Sequence, residues 1–404
     1  MNKLYLPISF LIAVIFLGGY NLPGASNVTI TTSTLILLLM WVVYLTDVLN
    51  LRNETLSLES YLLPVIGFFV IGVISLIGAM RYFHIIDVFV SFLYLVNFCI
   101  YLASPPVIAN HISDNKDARY LLFSSFVLSL VMMVALAVMV VTGFRFHDHT
   151  VRIAGHEPLD WHWDQSQLAL GMFLATLVSV SSGLLIGTHQ KTRDKILLLT
   201  VAVLGSFLTF ATLSRSSMAA LCVGLFVVVF TFRRRFLIIF PATVVILPNY
   251  VVLRLERTFS PTYIPELGTT VPISMSKRLV KWVLQLEIFS KNIIIGTGFA
   301  LERFRAVQVY GYRVAPDNQY VGLLAGTGML GFAAFSYWVL YNIRLISSIK
   351  ESKFQRAFAT GVLGAFMGFL AWGTFQGFYA RSRVLGILAI YLGIIWHYWL
   401  NDIS

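Results

Sequence analysis

Residues 276–331 read SKRLVKWVLQLEIFSKNIIIGTGFALERFRAVQVYGYRVAPDNQYVGLLAGTGMLG, and most of this stretch is too polar to lie in lipid. It ends on Asp317 and Asn318, directly before an apolar run. Charged side chains are costly in hydrocarbon, so the part before that run is predicted to lie outside the bilayer. Cations beside a carboxylate indicate a site for an anionic substrate. The cations of the stretch are Lys277, Arg278, Lys281, Lys291, Arg303, Arg305 and Arg313.

The composition of the rest of the chain is that of a membrane protein. The 404 residues are 58% hydrophobic and only 12% charged, with a mean hydropathy of +0.82. A water-soluble fold could not bury so much apolar surface. The net charge of +11 is spread through loops between apolar runs, which favours a membrane surface over nucleic acid as the reason for the basic residues. The two cysteines lie in apolar runs and predict neither a disulfide nor a metal cluster.

Apolar runs long enough to cross a bilayer as helices recur along the whole chain. The fold is therefore predicted to be all-α: a polytopic helical bundle with about twelve transmembrane helices. No repeat or soluble domain is visible, so residues 1–404 are predicted to form a single integral-membrane domain. The twelve predicted spans are roughly 4–20, 29–46, 60–80, 84–103, 120–143, 167–187, 196–213, 217–232, 236–252, 319–342, 358–378 and 384–400.

The distribution of Lys and Arg predicts the orientation of the bundle. With the N-terminus in the cytoplasm, the cytoplasmic side holds fourteen Lys and Arg and the other side fifteen. Nine of those fifteen lie in residues 253–318, a segment too long for the positive-inside rule, so the short loops divide fourteen to six. Both termini are therefore predicted to be cytoplasmic, and two long loops, 144–166 and 253–318, to be on the opposite face.

Arg215 lies in a short polar break between two apolar runs, LSRSS. An arginine at such a position either binds an anion in a water-filled cavity or anchors a helix end at the interface. Binding is the favoured interpretation, because ionisable residues within membrane segments lean toward function.

The segment KRLVKWVLQLEIF predicts an amphipathic helix in the long loop. Its apolar face is predicted to consist of Leu279, Trp282, Val283, Leu286 and Phe289. Lys277 and Lys281 suit contact with lipid phosphates as well as substrate. Arg278 is predicted to lie at the start of the helix, where its guanidinium and the helix-end amides could hold a diphosphate together.

Two glycine-containing features follow this helix. Gly296-Thr297-Gly298 is predicted to be a packing turn, because no nucleotide-binding context surrounds it. Asp317 precedes the predicted tenth span and has two interpretations: it caps the helix, or it accepts a proton from a sugar hydroxyl. Catalysis is favoured for Asp317, with Asn318 and Tyr320 orienting it or the sugar.

The loop at 144–166 is rich in His, Asp and Trp. Its His spacing fits no standard metal site, and its tryptophans equally suit sugar stacking, so no metal is predicted. Arg152 lies in this loop and is a candidate for substrate binding. Arg257 follows the ninth span and either anchors a helix end or faces the proposed cavity.

The order of these features resembles the superfamily of O-antigen ligases and O-antigen (Wzy-type) polymerases. The resemblance covers about residues 150–345. The motifs that carry it are Thr-Leu-Ser-Arg215, Arg257-Thr-Phe259, Ser276-Lys-Arg278 with Trp282, Gly296-Thr-Gly298-Phe299, Asp317-Asn318-Gln-Tyr320 and Gly326-Thr-Gly328-Met-Leu-Gly331.

The resemblance implies a glycosyltransferase of a GT-C-like membrane fold that needs neither a metal nor a cofactor. Such enzymes transfer a glycan from undecaprenyl diphosphate to an acceptor glycan at the periplasmic face of the bacterial inner membrane. Arg215 and Arg278 match positions that hold the diphosphate, and Arg152 matches an arginine of the polymerases. Where many relatives, the ligases among them, carry His-Asn, this chain has Asp317-Asn318, which favours a polymerase.

The prediction is therefore a repeat-unit polymerase with Asp317, Arg215 and Arg278 as catalytic residues. Substrate binding is assigned to Arg152, Arg257, Asn318, Tyr320, Lys281 and Trp282. A chain-length regulator protein is a candidate partner, and nucleic acid is not. The alternatives are an O-antigen ligase and, from another class, a polysaccharide transporter or flippase, although the chain lacks the two related halves that transporters usually show. A structural scaffold would have no use for the cations.

Overall fold

The computed structural model describes residues 4–16, 19–22, 25–49, 56–141, 145–147, 150–152, 167–212, 214–232, 261–264, 269–301, 318–350, 352–377 and 382–403. The predicted ninth span, 236–252, lies outside these residues. So do two of the predicted site residues, Arg257 and Asp317.

Twelve helices are found among the described residues. They are α1 (Tyr5–Phe16), α2 (Thr32–Leu49), α3 (Leu56–Ala79), α4 (Ile85–Asn110), α5 (Asn115–Val141), α6 (Gln167–Gly187), α7 (Thr192–Ala211), α8 (Arg215–Phe232), α9 (Ile273–Lys291), α10 (Gln319–Ser348), α11 (Lys353–Gly373) and α12 (Ser382–Ile403).

The predicted all-α membrane bundle is confirmed. In the described part of the chain, nine helices are long and apolar enough to cross a membrane, and α1 and α2 are shorter apolar helices. Every predicted span except 236–252 coincides with one of these eleven. The remaining helix, α9, is the one predicted as amphipathic.

Strands occur among the described residues only as three antiparallel hairpins, each in a segment between helices. They pair β1 (Gly19–Leu22) with β2 (Ala25–Thr31), β3 (Arg145–His147) with β4 (Thr150–Arg152), and β5 (Pro261–Ile264) with β6 (Thr269–Pro272). The last hairpin leads directly into α9, so α9 begins at a fixed point.

Glycines bring α11 into close contact with α8. A Cβ on Gly368 would lie 2.6 Å from the carbonyl oxygen of Ala220, and one on Gly364 would lie 2.6 Å from that of Gly224. Small residues four apart let membrane helices approach this closely. Because the higher number in α11 meets the lower number in α8, the two helices are antiparallel. Helix α11 also packs on α6, which in turn packs on α7 and α8.

Helix α4 runs to Asn110 through Pro105 and Pro106, so the prediction that this span ends near residue 103 is wrong. A proline inside a helix leaves the carbonyl four residues earlier without its usual N–H donor. The hydroxyl of Ser104 donates to the carbonyl of Tyr101 at 2.7 Å. The carbonyl of Leu102 accepts from the Tyr61 hydroxyl at 2.9 Å and from the Trp338 indole at 3.2 Å. These donors replace both lost bonds, so the helix continues.

Helix α10 is broken at Gly328, which has φ 65° and ψ −168° inside an otherwise helical segment. Only glycine adopts this conformation readily. A break inside a membrane segment exposes backbone groups that must be bonded within the protein. The turn after α9 provides these bonds: the N–H groups of Met329 and Leu330 donate to the carbonyls of Ile293 and Ile294 at 2.8 and 3.2 Å.

The same turn satisfies the carbonyls on the other side of the break. The N–H of Thr297 donates to the carbonyl of Ala325 at 2.9 Å, and the N–H of Gly298 donates to that of Gly326 at 3.0 Å. Ser75 of α3 bonds both Gly298 and Gly326. We call residues 293–298, residues 325–330 and Ser75 the glycine junction. The prediction that Gly296-Thr297-Gly298 is a packing turn is confirmed.

Candidate functional site

Arg215 is the first residue of α8, and its side chain is exposed. Ser214 precedes it and caps the helix: its hydroxyl oxygen accepts from the N–H of Ser217 at 3.2 Å. Ser214, Ser216 and Ser217 are buried. A Cβ on Gly171 of α6 would come within 2.6 Å of Ser217, so α6 packs closely against this helix start. The polar break of the sequence is therefore a fixed helix start that presents an arginine.

The register between α8 and α11 fixes the end of the bundle to which Arg215 belongs. Ala220 lies beside Gly368, and the two helices are antiparallel. Five residues before Ala220 comes Arg215, and five residues after Gly368 comes Gly373, the last residue of α11. Arg215 is therefore level with the C-terminal end of α11.

Arg278 of α9 approaches the same end of α11. Its Cζ lies 5.7 Å from the ring centroid of Phe375, two residues beyond the end of α11. A guanidinium over an aromatic ring is attracted by the ring quadrupole, which holds the side chain in place. The prediction that Arg278 lies at a helix start is wrong, because α9 begins at Ile273, directly after β6. The free amides of the first turn therefore precede Arg278, and its guanidinium acts without them.

The predicted apolar face of α9 is also wrong in part. Val283 and Leu286 are exposed, whereas Leu284 and Ile288 are buried against Ala325 of α10. In a membrane protein an apolar side chain can face lipid as readily as protein. Periodicity therefore identified a helix but not the side that packs.

Asn318 is the N-cap of α10. Its Oδ1 accepts hydrogen bonds from the N–H groups of Tyr320 at 2.9 Å and Val321 at 3.1 Å. The cap considered for Asp317 is therefore made by the next residue. The Tyr320 hydroxyl donates to the carbonyl of Leu370 at 2.6 Å, which ties the start of α10 to the last turn of α11.

Three helices thus approach the C-terminal end of α11 and its exit, residues 368–375: α8 packs on Gly368 through Ala220, α9 contacts Phe375 through Arg278, and α10 bonds Leu370 through Tyr320. We call this region the site end of the bundle. Arg278, Asn318 and Tyr320 lie at this end, and Arg215 is level with it by the register of α8 and α11. Two of them are cations, which is an arrangement suited to an anionic group such as a diphosphate.

Comparison with protein families places this region in context. Residues 200–336 match the O-antigen ligase family. The match spans about a third of the chain, and it confirms, for these residues, the resemblance to the superfamily of O-antigen ligases and polymerases. No curated protein matches the chain.

The O-antigen ligase match includes α8, α9 and most of α10, and with them Arg215, Arg278, Lys281, Trp282, Asn318 and Tyr320. It also includes Arg257 and Asp317, which lie outside the described residues. Lys281 and Trp282 are partly buried on α9, close in sequence to Arg278. Arg152 precedes the match; its backbone pairs with Arg145 in the β3–β4 hairpin. Its role in substrate binding stays a prediction.

Three residues, at the exit of α11, at the start of α12 and on α9, were missed by the sequence reasoning. Phe375 contacts Arg278, and the sequence predicts it only as an apolar residue of the span 358–378. Arg383, the second residue of α12, is 5% exposed and begins the helix that follows the exit of α11. The sequence feature that could have identified Arg383 is a cation at the edge of an apolar run, in ARSRVLG. Gln285 is the third. The feature that could have identified it is its polar side chain within the apolar part of α9.

A metal site was not predicted, and the described residues contain no group of three or more His, Cys, Asp or Glu that could hold a metal ion. Most of the His-rich loop, 153–166, lies outside the part of the chain that the structure describes.

Proposed function

We propose that the protein polymerises undecaprenyl-diphosphate-linked oligosaccharide repeat units at the periplasmic face of the bacterial inner membrane. The single observation that carries the proposal is that Arg215 at the start of α8 is level with the C-terminal end of α11, where Arg278 contacts Phe375 beside the start of α10. The match of residues 200–336 to the O-antigen ligase family supports the substrate class.

In the proposed reaction, an acceptor hydroxyl attacks the anomeric carbon of the lipid-linked glycan. The new glycosidic C–O bond forms as the bond between that carbon and the diphosphate oxygen breaks. Undecaprenyl diphosphate leaves with the bonding electrons, and Asp317 takes the hydroxyl proton. Arg215 and Arg278 stabilise the charge that develops on the diphosphate.

The residues around Asp317 support its role in this reaction. Because Asn318 caps α10, the carboxylate of the preceding residue is not needed for that purpose. In the sequence Asp317 directly precedes this cap, and a carboxylate beside the acceptor hydroxyl is what proton removal needs. Lys281, Trp282, Tyr320 and Arg257 are proposed to bind the substrate, and Arg152 to contribute from its own loop.

An O-antigen ligase is the second candidate, because the matching family model is described by that name. The two functions use the same donor and differ in the acceptor, a growing glycan in one case and lipid A-core in the other. Asp317-Asn318 in place of His-Asn favours the polymerase.

A gene deletion followed by electrophoresis of the surface polysaccharide distinguishes these functions. Loss of a polymerase leaves single repeat units on lipid A-core, whereas loss of a ligase leaves none. Complementation with Arg215→Ala, Arg278→Ala or Asp317→Ala is expected to reproduce the deletion pattern. Full-length ladders from all three variants, at normal protein levels, would reject the proposed site.

A further inference from the structure

One face of α9 carries a row of hydrogen-bonding side chains. At 100° per residue, Arg278, Trp282 and Gln285 lie within an arc of about 60°. Leu284 and Ile288 lie on a neighbouring face and pack on Ala325 of α10. Arg278 is directed to Phe375 at the site end. Trp282 and Gln285 therefore extend the face that begins with the proposed diphosphate ligand.

Two members of this row are buried without hydrogen bonds. Gln285 is only 2% exposed, and within the part of the chain that the structure describes neither its Nε2 nor its Oε1 has a hydrogen-bond partner. The indole Nε1 of Trp282 is also buried and also lacks one there. A buried amide without hydrogen-bond partners makes the folded protein less stable than an aliphatic side chain of the same shape would. Such a residue needs an explanation, and a bound ligand supplies one.

The hydrogen-bonding groups of Trp282 and Gln285 indicate which part of a lipid-linked glycan would bind them. A polyprenyl chain has no hydrogen-bonding group and would leave the amide unsatisfied. A diphosphate only accepts hydrogen bonds, so it cannot bond the Gln285 carbonyl oxygen. A sugar hydroxyl both donates and accepts, which matches the two ends of the amide, and an indole N–H donates to a sugar oxygen. The indole ring also offers a flat apolar surface to a sugar ring.

We propose that Trp282 and Gln285 form a sugar-binding subsite that receives the first sugars of the donor while Arg278 holds its diphosphate. This inference rests on the proposed function. Trp282 and Gln285 lie four and seven residues beyond Arg278, which is about 6 and 10.5 Å along the helix axis. A glycan that leaves the diphosphate along α9 passes both side chains.

Binding of two lipids to the purified full-length protein tests the subsite. One probe is undecaprenyl diphosphate without sugar, and the other is the lipid-linked repeat unit extracted from a host strain that lacks this protein. The wild-type protein is expected to bind the glycan-linked lipid more tightly. Gln285→Leu is expected to weaken binding of that lipid about tenfold and to leave binding of undecaprenyl diphosphate unchanged. Trp282→Phe, which keeps the ring and removes the N–H, is expected to do the same to a smaller degree.

The controls separate this inference from its premise and from misfolding. Glu287→Gln, on the exposed face of the same helix, is expected to bind both lipids as the wild type does. Gln285→Leu is expected to unfold at the wild-type temperature or above, because it removes an unsatisfied amide. The subsite would be overturned if Gln285→Leu weakened the binding of both lipids equally. It would also be overturned if this variant kept the wild-type preference for the glycan-linked lipid. A wild-type protein that binds neither lipid would instead refute the proposed function.

Discussion

The hydroxyl of Ser75 in α3 donates a hydrogen bond of 2.6 Å to the carbonyl of Gly326, two residues before the break in α10. The same oxygen accepts from the N–H of Gly298 at 2.7 Å. One side chain of α3 thus joins the turn after α9 to the broken helix. Because α9 carries Arg278 and α10 is capped by Asn318, the glycine junction sets how the helices that carry these two site residues lie relative to each other.

Ser75→Ala is expected to lower the free energy of unfolding by about 1–3 kcal/mol, because it removes two buried hydrogen bonds, each worth about 0.5–1.5 kcal/mol, while the N–H of Gly298 and the carbonyl of Gly326 stay bonded to each other. Thermal unfolding of the purified protein in detergent measures this change. Ser91→Ala is the matched control: Ser91 is fully buried in α4, and its hydroxyl has no hydrogen-bond partner in the described part of the chain. Equal unfolding temperatures for the two variants would show that the Ser75 bonds do not stabilise the junction.

Gly328→Ala is expected to prevent the protein from accumulating in the membrane. A side chain at this position is strained at φ 65°, and its Cβ would overlap the carbonyl of Ile294. Gly78→Ala in α3 is the control, since no atom lies within 4 Å of a Cβ there. Alanine also favours helix by about 1 kcal/mol over glycine. Immunoblots of isolated membranes report both levels, and a normal level of Gly328→Ala would contradict the role of the break.

The sequence predicted the membrane helices well because the thickness of hydrocarbon sets their length and lipid demands apolar side chains. It failed where distant residues decide the outcome. The continuation of α4 past Pro105 depends on donors from Tyr61 and Trp338, which are far away in the chain. The break in α10 depends likewise on the turn after α9. Neither partner can be recognised by local pattern.

The candidate site was predicted as a set of residue types and not as an arrangement. Arg215 and Arg278 stood out because a cation beside apolar runs is costly. Their common level, the C-terminal end of α11, followed from the close contact of Gly364 and Gly368 with α8 and from the contact of Arg278 with Phe375. Glycines on a membrane helix are common, so the sequence gives no reason to single these out. Phe375 carried no charge and drew no attention.

Substitutions at Asn318 and Asp317 are expected to separate an effect on stability from an effect on catalysis. Asn318→Ala should lower the free energy of unfolding by about 1 kcal/mol, because α10 loses its cap, and Asn318→Ser should restore most of it. Asp317→Asn should leave thermal unfolding unchanged and abolish polymer formation, because the side chain can no longer accept a proton. A stable, active Asp317→Asn variant would exclude the carboxylate as the base. An Asn318→Ser variant as unstable as Asn318→Ala would exclude the cap.

The contact between Arg278 and Phe375 is expected to matter for turnover. Arg278→Ala should reduce the rate of polymer formation about 100-fold, the scale seen when one donor to a developing charge is removed. Arg278→Lys keeps the charge but not the planar fork, so a smaller loss of about 10-fold is expected. Lys291→Ala is the control, because Lys291 is exposed at the end of the same helix and pairs with Glu287 at 2.9 Å.

Phe375→Leu tests whether the ring acts through the arginine. It should slow polymer formation a few-fold in the wild-type background, because the guanidinium is held less firmly over an aliphatic side chain. In an Arg278→Ala background the same change should have no further effect, since two residues that act through one contact are not additive. Rates of the four proteins, measured with the lipid-linked repeat unit at equal protein levels, complete the cycle. Additive losses would mean that Phe375 contributes independently of Arg278.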